Sequence, residues 1–165
     1  GNDSDKKCTL FHGDQSDITF LTSFIQISGG EFDIIIDDGS HFPTHQIVTF
    51  EALWPSLKAG GVYFIEDIET SYWRRGAKLY GNVMTGDVSV IEHFKRVADQ
   101  INREFSQNHV GGGLSYIYNT ISTITFGQNI IIFRKQSVSE MKTYFTRQYR
   151  FIEVVKPINK LASEK

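Results

Sequence analysis

Two short apolar runs frame a helical stripe in the first half of the chain. Asp33–Ile36 and Val62–Ile65 are rich in β-branched residues and show no polar alternation, which is typical of parallel strands covered on both faces. Between them, Phe42–Leu57 places apolar side chains at helical spacing, and the turn Lys58–Gly61 closes the segment. The pattern therefore predicts a strand–helix–strand unit.

Hydrophobic spacing also predicts the elements around this unit. Cys8–His12 has the pattern of a strand, Asp17–Ile27 that of a short helix, and Asp87–Phe105 that of a longer helix on one face of the sheet. Three further strands are predicted at Tyr116–Asn119, Ile121–Phe126 and Asn129–Phe133. The last two would form a hairpin around Gly127 and Gln128. The predicted fold is an α/β sheet with an antiparallel closing pair.

Acidic residues stand at the ends of both predicted parallel strands. Asp37 and Asp38 follow the first strand. Glu66 and Asp67 follow the second. Because neighbouring parallel strands end at the same sheet edge, Asp38, Glu66 and Asp67 are expected to converge on a hard divalent cation such as Mg²⁺. The lack of a nearby cysteine argues against zinc. His41 would stand at the rim of this site, suited to take a proton from a substrate hydroxyl.

The same residue types also fit ordinary turn chemistry. Asp38 or Ser40 would then simply cap the helix that begins near Phe42. The occurrence of acidic clusters at two matched strand ends favours the metal site. His45 would share a helical face with His41, but no third nitrogen or sulfur ligand is evident, so a place on the helix surface or beside the metal ligands is favoured for it.

Several stretches of the chain together resemble a known enzyme family. They are Phe32–His41, Thr49–Pro55, Gly60–Asp67 and Ser71–Trp73. These stretches are similar to the magnesium-dependent O-methyltransferases of macrolide sugar tailoring, the macrocin and mycinamicin type. The similarity extends upstream to Gly13–Asp17 and more loosely downstream to Lys135. The remainder follows the common pattern of class I S-adenosylmethionine-dependent methyltransferases.

The resemblance implies a Rossmann-like methyltransferase sheet and two cofactors, S-adenosylmethionine and Mg²⁺. In the family, the second aspartate of the first motif and the Glu-Asp pair of the next strand bind the metal, which implies that Asp38, Glu66 and Asp67 do so here. The histidine that ends the first motif is the general base, which implies this role for His41.

The resemblance also implies where the methyl donor lies. The acid-plus-glutamine turn lies near the adenosine in the family, which implies cofactor contacts for Asp14 and Gln15. Asp37 would face the methionine end. The acceptor would be a small molecule with a hydroxyl group, a sugar or a similar natural product.

One part of the family pattern is not found in this sequence. The first strand with its glycine-rich turn, and the second strand with its ribose-binding acid, have no counterpart before Leu10. Gly111–Gly113 lacks the strand–turn–helix context of such a turn and is interpreted as a loop. We expect a piece of a longer enzyme, the alternative being a natural short protein that kept the carboxyl half for another purpose. The uncovered edge of the Asp33–Asp37 strand would invite a second copy or a partner chain.

Two parts of the chain are predicted. Residues 1–135 would form a partial class I methyltransferase domain, and 136–165 an apolar extension packed on that domain or at an interface. Tyr72 and Trp73 would line the substrate or simply pack their loop onto the sheet. A non-catalytic remnant serving as a structural or interaction subunit is the alternative function. A metal-dependent hydrolase or hydroxylase is a weaker one, because Gly13–Gln15 suits an adenosine pocket better.

Composition limits the remaining possibilities. A chain of 165 residues with 40% hydrophobic content supplies one core. The net charge of −2 gives no support for nucleic acid as a partner. Cys8 is the single cysteine, which excludes an internal disulfide and fits a reducing compartment, so we expect a cytoplasmic location. No apolar stretch approaches the roughly 20 residues of a membrane span.

Overall fold

The computed structural model describes residues 8–73, 89–102 and 116–141. In chain order, the elements are α1 (Ile18–Ser28), β1 (Phe32–Asp37), α2 (Pro43–Leu53), a 3₁₀ turn (Trp54–Ser56), β2 (Leu57–Glu66), a 3₁₀ helix (Ile68–Tyr72), α3 (Val90–Ile101), α4 (Tyr116–Asn119), β3 (Ile121–Gly127) and β4 (Ile130–Lys135). None of the described helices combines the length and apolar character that crossing a membrane requires.

The described strands form one mixed sheet with the order β1-β2-β4-β3. β1 and β2 run parallel, whereas β4 is antiparallel to both β2 and β3. Asp37 lies opposite Ile65, so the two parallel strands end at the same edge of the sheet. The α/β fold with an antiparallel closing hairpin, predicted from the sequence, is confirmed.

An aromatic core lies on one face of this sheet. Phe50 of α2, Phe94 of α3 and Phe133 of β4 are completely buried, with ring centroids 4.5 to 4.9 Å apart. Tyr63 of β2 packs edge-on against Phe50 from the same face. Trp54 joins this core and donates its indole N–H to Thr120 Oγ1 over 2.9 Å. These contacts hold the helices against the sheet and so fix the edge at which β1 and β2 both end.

The opposite face of β1 is open in the described part of the chain. Ile34 and Ile36 are each 60% exposed, so the expectation that β1 is covered on both faces is wrong for these residues. The reason is that side chains alternate along a strand, and α2 and α3 pack only on the face that carries Tyr63 and Phe133.

Local signals set both ends of α1. The Asp17 carboxylate accepts hydrogen bonds from the backbone N–H groups of Thr19 and Phe20, at 2.8 and 3.3 Å. This satisfies N–H groups that lack a partner within the helix. Gly29 ends the helix with φ +82°, a left-handed conformation that glycine adopts without strain. The helix predicted over Asp17–Ile27 is confirmed.

Two predicted strands are not formed. Cys8–His12 is irregular, because no other described segment pairs with it. Tyr116–Asn119 forms a turn of helix instead. Its Tyr118 hydroxyl reaches Glu51 of α2 at 2.5 Å and His93 of α3 at 3.0 Å, and these tertiary contacts outweigh the β preference of the tyrosine and isoleucine side chains.

Two boundaries also differ from the sequence prediction. Lys58–Gly61 does not precede β2 but forms an irregular stretch inside it, since Phe32 pairs with Leu57 while Ile34 already pairs with Val62. The hairpin turn consists of Gln128 and Asn129, so Asn129 belongs to the turn rather than to β4.

Other predictions fall partly or wholly outside the described residues. These are the glycine loop at Gly111–Gly113, the substrate-facing segment beyond Trp73, the ends of the helix predicted at Asp87–Phe105 and most of the 136–165 extension. The division into residues 1–135 and 136–165 stays a prediction.

Candidate metal and cofactor site

Two aspartates and a histidine converge beyond the tips of β1 and β2. One ligand atom from each of Asp38, His41 and Asp67 lies within 4.8 Å of the others. His41 Nε2 stands between the two carboxylates, 3.2 Å from Asp38 Oδ1 and 3.3 Å from Asp67 Oδ2. The two carboxylate oxygens suit a hard divalent cation, and the imidazole nitrogen lies between them.

The backbone of this cluster is unusual at two positions. His41 and Asp67 both have left-handed backbones, with φ of 57° and 51°. Such a conformation costs a residue other than glycine on the order of 1–3 kcal/mol and persists only where the surroundings enforce it. Buried Thr70 provides one such restraint, because its Oγ1 donates a 2.7 Å hydrogen bond to the backbone carbonyl of His41.

The hairpin between β3 and β4 supplies a second restraint. The Asn129 side chain donates to Asp67 Oδ1 over 2.7 Å. Sequence reasoning missed both Thr70 and Asn129. A threonine inside a short helical segment and an asparagine in a hairpin turn are common structural residues, so no sequence signal marked them as neighbours of a site.

Glu66 does not join this cluster. As a residue of β2 it alternates with Ile65 and so projects from the face of the sheet that carries Phe64. Its backbone carbonyl accepts a 2.9 Å hydrogen bond from Gln46 Nε2, which ties the tip of β2 to α2. The assignment of Glu66 as a metal ligand stays a prediction.

Gln15 links the turn before α1 to the loop after β1. Its Nε2 donates to Asp37 Oδ1 at 3.1 Å and to Thr49 Oγ1 at 3.0 Å, while its Oε1 accepts from the backbone N–H of Ser40. The amide is therefore engaged by the protein and shapes the pocket wall. Neighbouring Asp14 accepts hydrogen bonds from the backbone N–H and hydroxyl of Ser16, which lower the pKa of its carboxyl.

Asp37 is the buried acid of the site. Its side chain is almost completely enclosed, and burial raises its pKa to about 6, against the opposing hydrogen bond from Gln15. Within the described part of the chain, Asp37 Oδ2 is buried without a hydrogen-bond partner. A buried, unpaired carboxylate oxygen is costly, so this atom marks a place for a donor group.

An open pocket of about 430 Å³ lies beside this acid. Its walls combine apolar side chains from α1 and β1 with polar residues from the loops; among them are Phe11, Gln15, Phe20, Phe24, Asp37 and Asp38. Gln15 and Asp37 thus line the same pocket. Both residues were predicted from the sequence to contact the cofactor.

Capping of α2 does not explain the Asp-Asp-Gly-Ser sequence. The residue before α2 is Phe42, which has no side-chain cap, and Pro43 occupies the first helical position, where a missing N–H costs little. Ser40 Oγ accepts a 3.4 Å hydrogen bond from the backbone N–H of Phe42, an ordinary turn contact, and lies 2.9 Å from His45 Nδ1. His45 is thereby held next to the cluster without being part of it, as the sequence favoured.

A second groove begins at Asn129, next to the cluster. It has a volume of about 620 Å³, and its walls include Ile68, Tyr72, Ile91 and Phe126. Tyr72 is 59% exposed, so its ring is available to a ligand in this groove. The predicted aromatic contribution to substrate contact stays a prediction.

The comparisons with known proteins agree with this geometry. No protein-family model matches the chain. It is 31% identical over 126 residues to the 8-demethyl-8-alpha-L-rhamnosyl tetracenomycin-C 2'-O-methyltransferase of Streptomyces olivaceus, which is 76% of this chain and 32% of that protein. It is 49% identical over 61 residues to the mycinamicin VI 2''-O-methyltransferase of Micromonospora griseorubida, covering 37% of this chain and 15% of the relative.

A solved structure shows the same fold. The MycE methyltransferase from the mycinamycin biosynthetic pathway, in complex with Mg and SAH, matches with a TM-score of 0.67 and 30% identity over 77% of this chain and 32% of that chain. The chain thus spans about a third of the length of the tetracenomycin-C relative and of the MycE chain. Over that region it is similar to sugar O-methyltransferases, and the family resemblance predicted from the sequence is confirmed.

Proposed function

We propose that this chain carries the metal and acceptor side of an S-adenosylmethionine-dependent, Mg²⁺-dependent O-methyltransferase that acts on a hydroxyl group of a sugar or a similar natural product. The observation that carries the proposal is the Asp38–His41–Asp67 cluster at the shared tip of two parallel strands. Its support is the relationship to enzymes whose names specify sugar O-methylation and to a structure that holds Mg and SAH.

Asp38 and Asp67 would hold the cation, and Glu66 is proposed as a third ligand. When bound, Mg²⁺ would lower the pKa of an acceptor hydroxyl, and S-adenosylmethionine would supply the methyl group. His41 Nε2 lies between the two aspartates, and neutral imidazole accepts a proton there. The Thr70 hydrogen bond to the His41 carbonyl keeps the ring at this position.

The pocket beside Asp37 is proposed to receive the methyl donor. The unpaired Asp37 Oδ2 would accept a hydrogen bond from the ammonium group of its methionine part. Asp14 and Gln15 lie at the adenosine side in this proposal, with Gln15 acting through the loop that it holds. In the proposed reaction the acceptor oxygen would receive the methyl group in place of its proton, and His41 would accept that proton.

The open edge of β1 is proposed to pair with a further strand. Among the described strands, β1 pairs only with β2, and its outer edge would accept a strand of a second copy or of a partner chain. We also propose a cytoplasmic location, because the sequence has a single cysteine.

Calorimetric titration of the 165-residue chain with S-adenosylhomocysteine, with and without Mg²⁺, tests the proposal. We expect saturable binding that Mg²⁺ strengthens and that Asp37→Asn weakens. The matched control is Asp33→Asn, because Asp33 is exposed on the same strand and pairs with Lys58. Absence of binding by a folded chain would contradict a complete pocket and would fit either a piece of a longer enzyme or the non-catalytic interaction subunit.

A further inference from the structure

The side-chain amide of Asn129 has a fixed orientation. Its Oδ1 accepts a 2.9 Å hydrogen bond from the backbone N–H of Glu69, and only the oxygen of the amide can accept it. Its Nδ2 consequently faces Asp67 Oδ1, 2.7 Å away, and donates to it. The Asn129 side chain thus connects the backbone of Glu69 to the carboxylate of Asp67, one of the proposed metal ligands.

The strand register brings these residues together. Glu66 pairs with Ile130 across the antiparallel β2–β4 ladder. The residue that follows Glu66 therefore lies beside the residue that precedes Ile130, which places Asp67 next to Asn129. Asn129 has φ +61°, a left-handed conformation that asparagine tolerates better than most residues. The turn thus accommodates asparagine at this position and presents its side chain to Asp67.

The two oxygens of the Asp67 carboxylate have different partners. Oδ1 is held by Asn129, whereas Oδ2 lies 3.3 Å from His41 Nε2 and faces the cluster. The Asp67 side chain is 38% exposed, so without this contact its carboxylate group would rotate more freely. A fixed carboxylate loses less conformational freedom when it binds a cation.

We propose that Asn129 is a positioning residue that aims Asp67 Oδ2 at the bound cation, an inference that rests on the proposed metal site. Partners that hydrogen-bond to metal ligands typically contribute about 10- to 100-fold in metal affinity. The hydrogen bond from the Glu69 backbone N–H orients the Asn129 amide so that its Nδ2 faces Asp67. The backbone of the 3₁₀ helix thus contributes indirectly to the position of Asp67.

Titration with Mn²⁺, followed by electron paramagnetic resonance of the full 165-residue chain, tests the inference. Asn129→Gly retains the left-handed turn and removes only the side chain. We expect about 10- to 100-fold weaker Mn²⁺ binding by a variant that is folded in the absence of metal. Gln128→Ala, at the neighbouring turn position, is the matched control and should bind Mn²⁺ like the unsubstituted chain.

Three outcomes would overturn the inference. If Asn129→Gly binds Mn²⁺ as tightly as the unsubstituted chain, Asn129 does not position Asp67. The proposed metal site would still stand in that case, provided that Asp67→Asn abolishes Mn²⁺ binding. Equal weakening in Gln128→Ala would show a general effect of the turn. Absence of saturable binding by the unsubstituted chain would overturn the proposed metal site together with the inference.

A measurement on the unsubstituted chain keeps the inference testable if the glycine variant does not fold. The side-chain amide signals of Asn129 in a ¹⁵N–¹H spectrum should shift during titration with Mg²⁺. The midpoint of this shift should fall at the same Mg²⁺ concentration as the midpoint of the Mg²⁺ binding curve. Signals that stay in place while Mg²⁺ binds would refute a link between Asn129 and the cation.

Discussion

Thr70 Oγ1 donates a 2.7 Å hydrogen bond to the backbone carbonyl of His41, and this bond connects the loop after β1 to the 3₁₀ helix after β2. It joins segments that are 29 residues apart in the sequence. Because His41 has a left-handed backbone, the bond restrains a conformation that histidine adopts rarely. The loop of the proposed base is therefore restrained by the segment after β2, which also carries the proposed ligand Asp67.

Thr70→Val should lower the free energy of unfolding by about 1 kcal/mol, because the shape is retained while the His41 carbonyl loses a partly buried hydrogen bond. Urea denaturation measures this effect. Thr70→Ser retains the hydroxyl and serves as the matched control. If the valine variant is as stable as the unsubstituted chain, the bond does not restrain the loop.

His41→Asn should lower turnover by about 10²- to 10⁴-fold, the usual contribution of a general base. Asparagine suits this position because it tolerates the left-handed backbone that alanine would strain. The measurement is kcat for methyl transfer to an acceptor that the unsubstituted protein methylates. His45→Asn is the control, and a similar loss in both variants would argue against a specific role for His41.

Asp17→Ala should destabilise the fold by about 1 kcal/mol, because the first turn of α1 loses the acceptor for two backbone N–H groups. Thermal unfolding measures the change, and Asp17→Ser should restore most of the stability. Since α1 forms one wall of the pocket beside Asp37, the alanine variant should also bind S-adenosylhomocysteine more weakly. A serine variant no more stable than the alanine variant would refute the capping role.

His93 should make stability depend on pH. Burial lowers its pKa in the folded state. The Tyr118 hydroxyl donates its hydrogen bond to Glu51, so neutral His93 donates its Nε2–H to the tyrosine oxygen. As the pH falls, the His93 imidazole of the unfolded chain is protonated near pH 6.5, whereas that of the folded chain is protonated only at a lower pH. The folded state therefore loses stability as the pH falls through 6.5 toward the lowered pKa.

The measurement for His93 is the free energy of unfolding between about pH 7.5 and pH 5, compared with His93→Gln. Glutamine also donates a hydrogen bond but does not titrate, so its curve should fall less steeply over this interval. Parallel curves for the two proteins would show that His93 does not contribute to the pH dependence.

Much of the site was predictable because its signals are local in the sequence. Asp38, His41 and Asp67 follow directly from strands whose apolar runs were recognisable, and parallel strands joined by one helix end at the same edge. The cap at Asp17 was equally local. Glu66 shows the limit of such reasoning, because adjacency to Asp67 does not specify on which face of the strand its side chain projects.

The remaining features depend on contacts between distant segments. Tyr116–Asn119 has strand-forming side chains but is helical, since Tyr118 reaches Glu51 and His93. Asn129 lies beside Asp67 only because of the register of an antiparallel ladder. Gln15 resembled a cofactor contact, yet its amide is engaged by Asp37 and Ser40.

By itself, the sequence determined the strand–helix–strand unit, the acidic strand ends and the family resemblance, because periodicity and short motifs act over a few neighbouring residues. Only the tertiary structure decided which oxygens meet, which carboxylate is buried and which side chains hold the proposed ligands. These properties depend on strand register and on packing between distant segments, such as those of Glu51 and Tyr118, which are 67 residues apart, and a local pattern does not encode such distances.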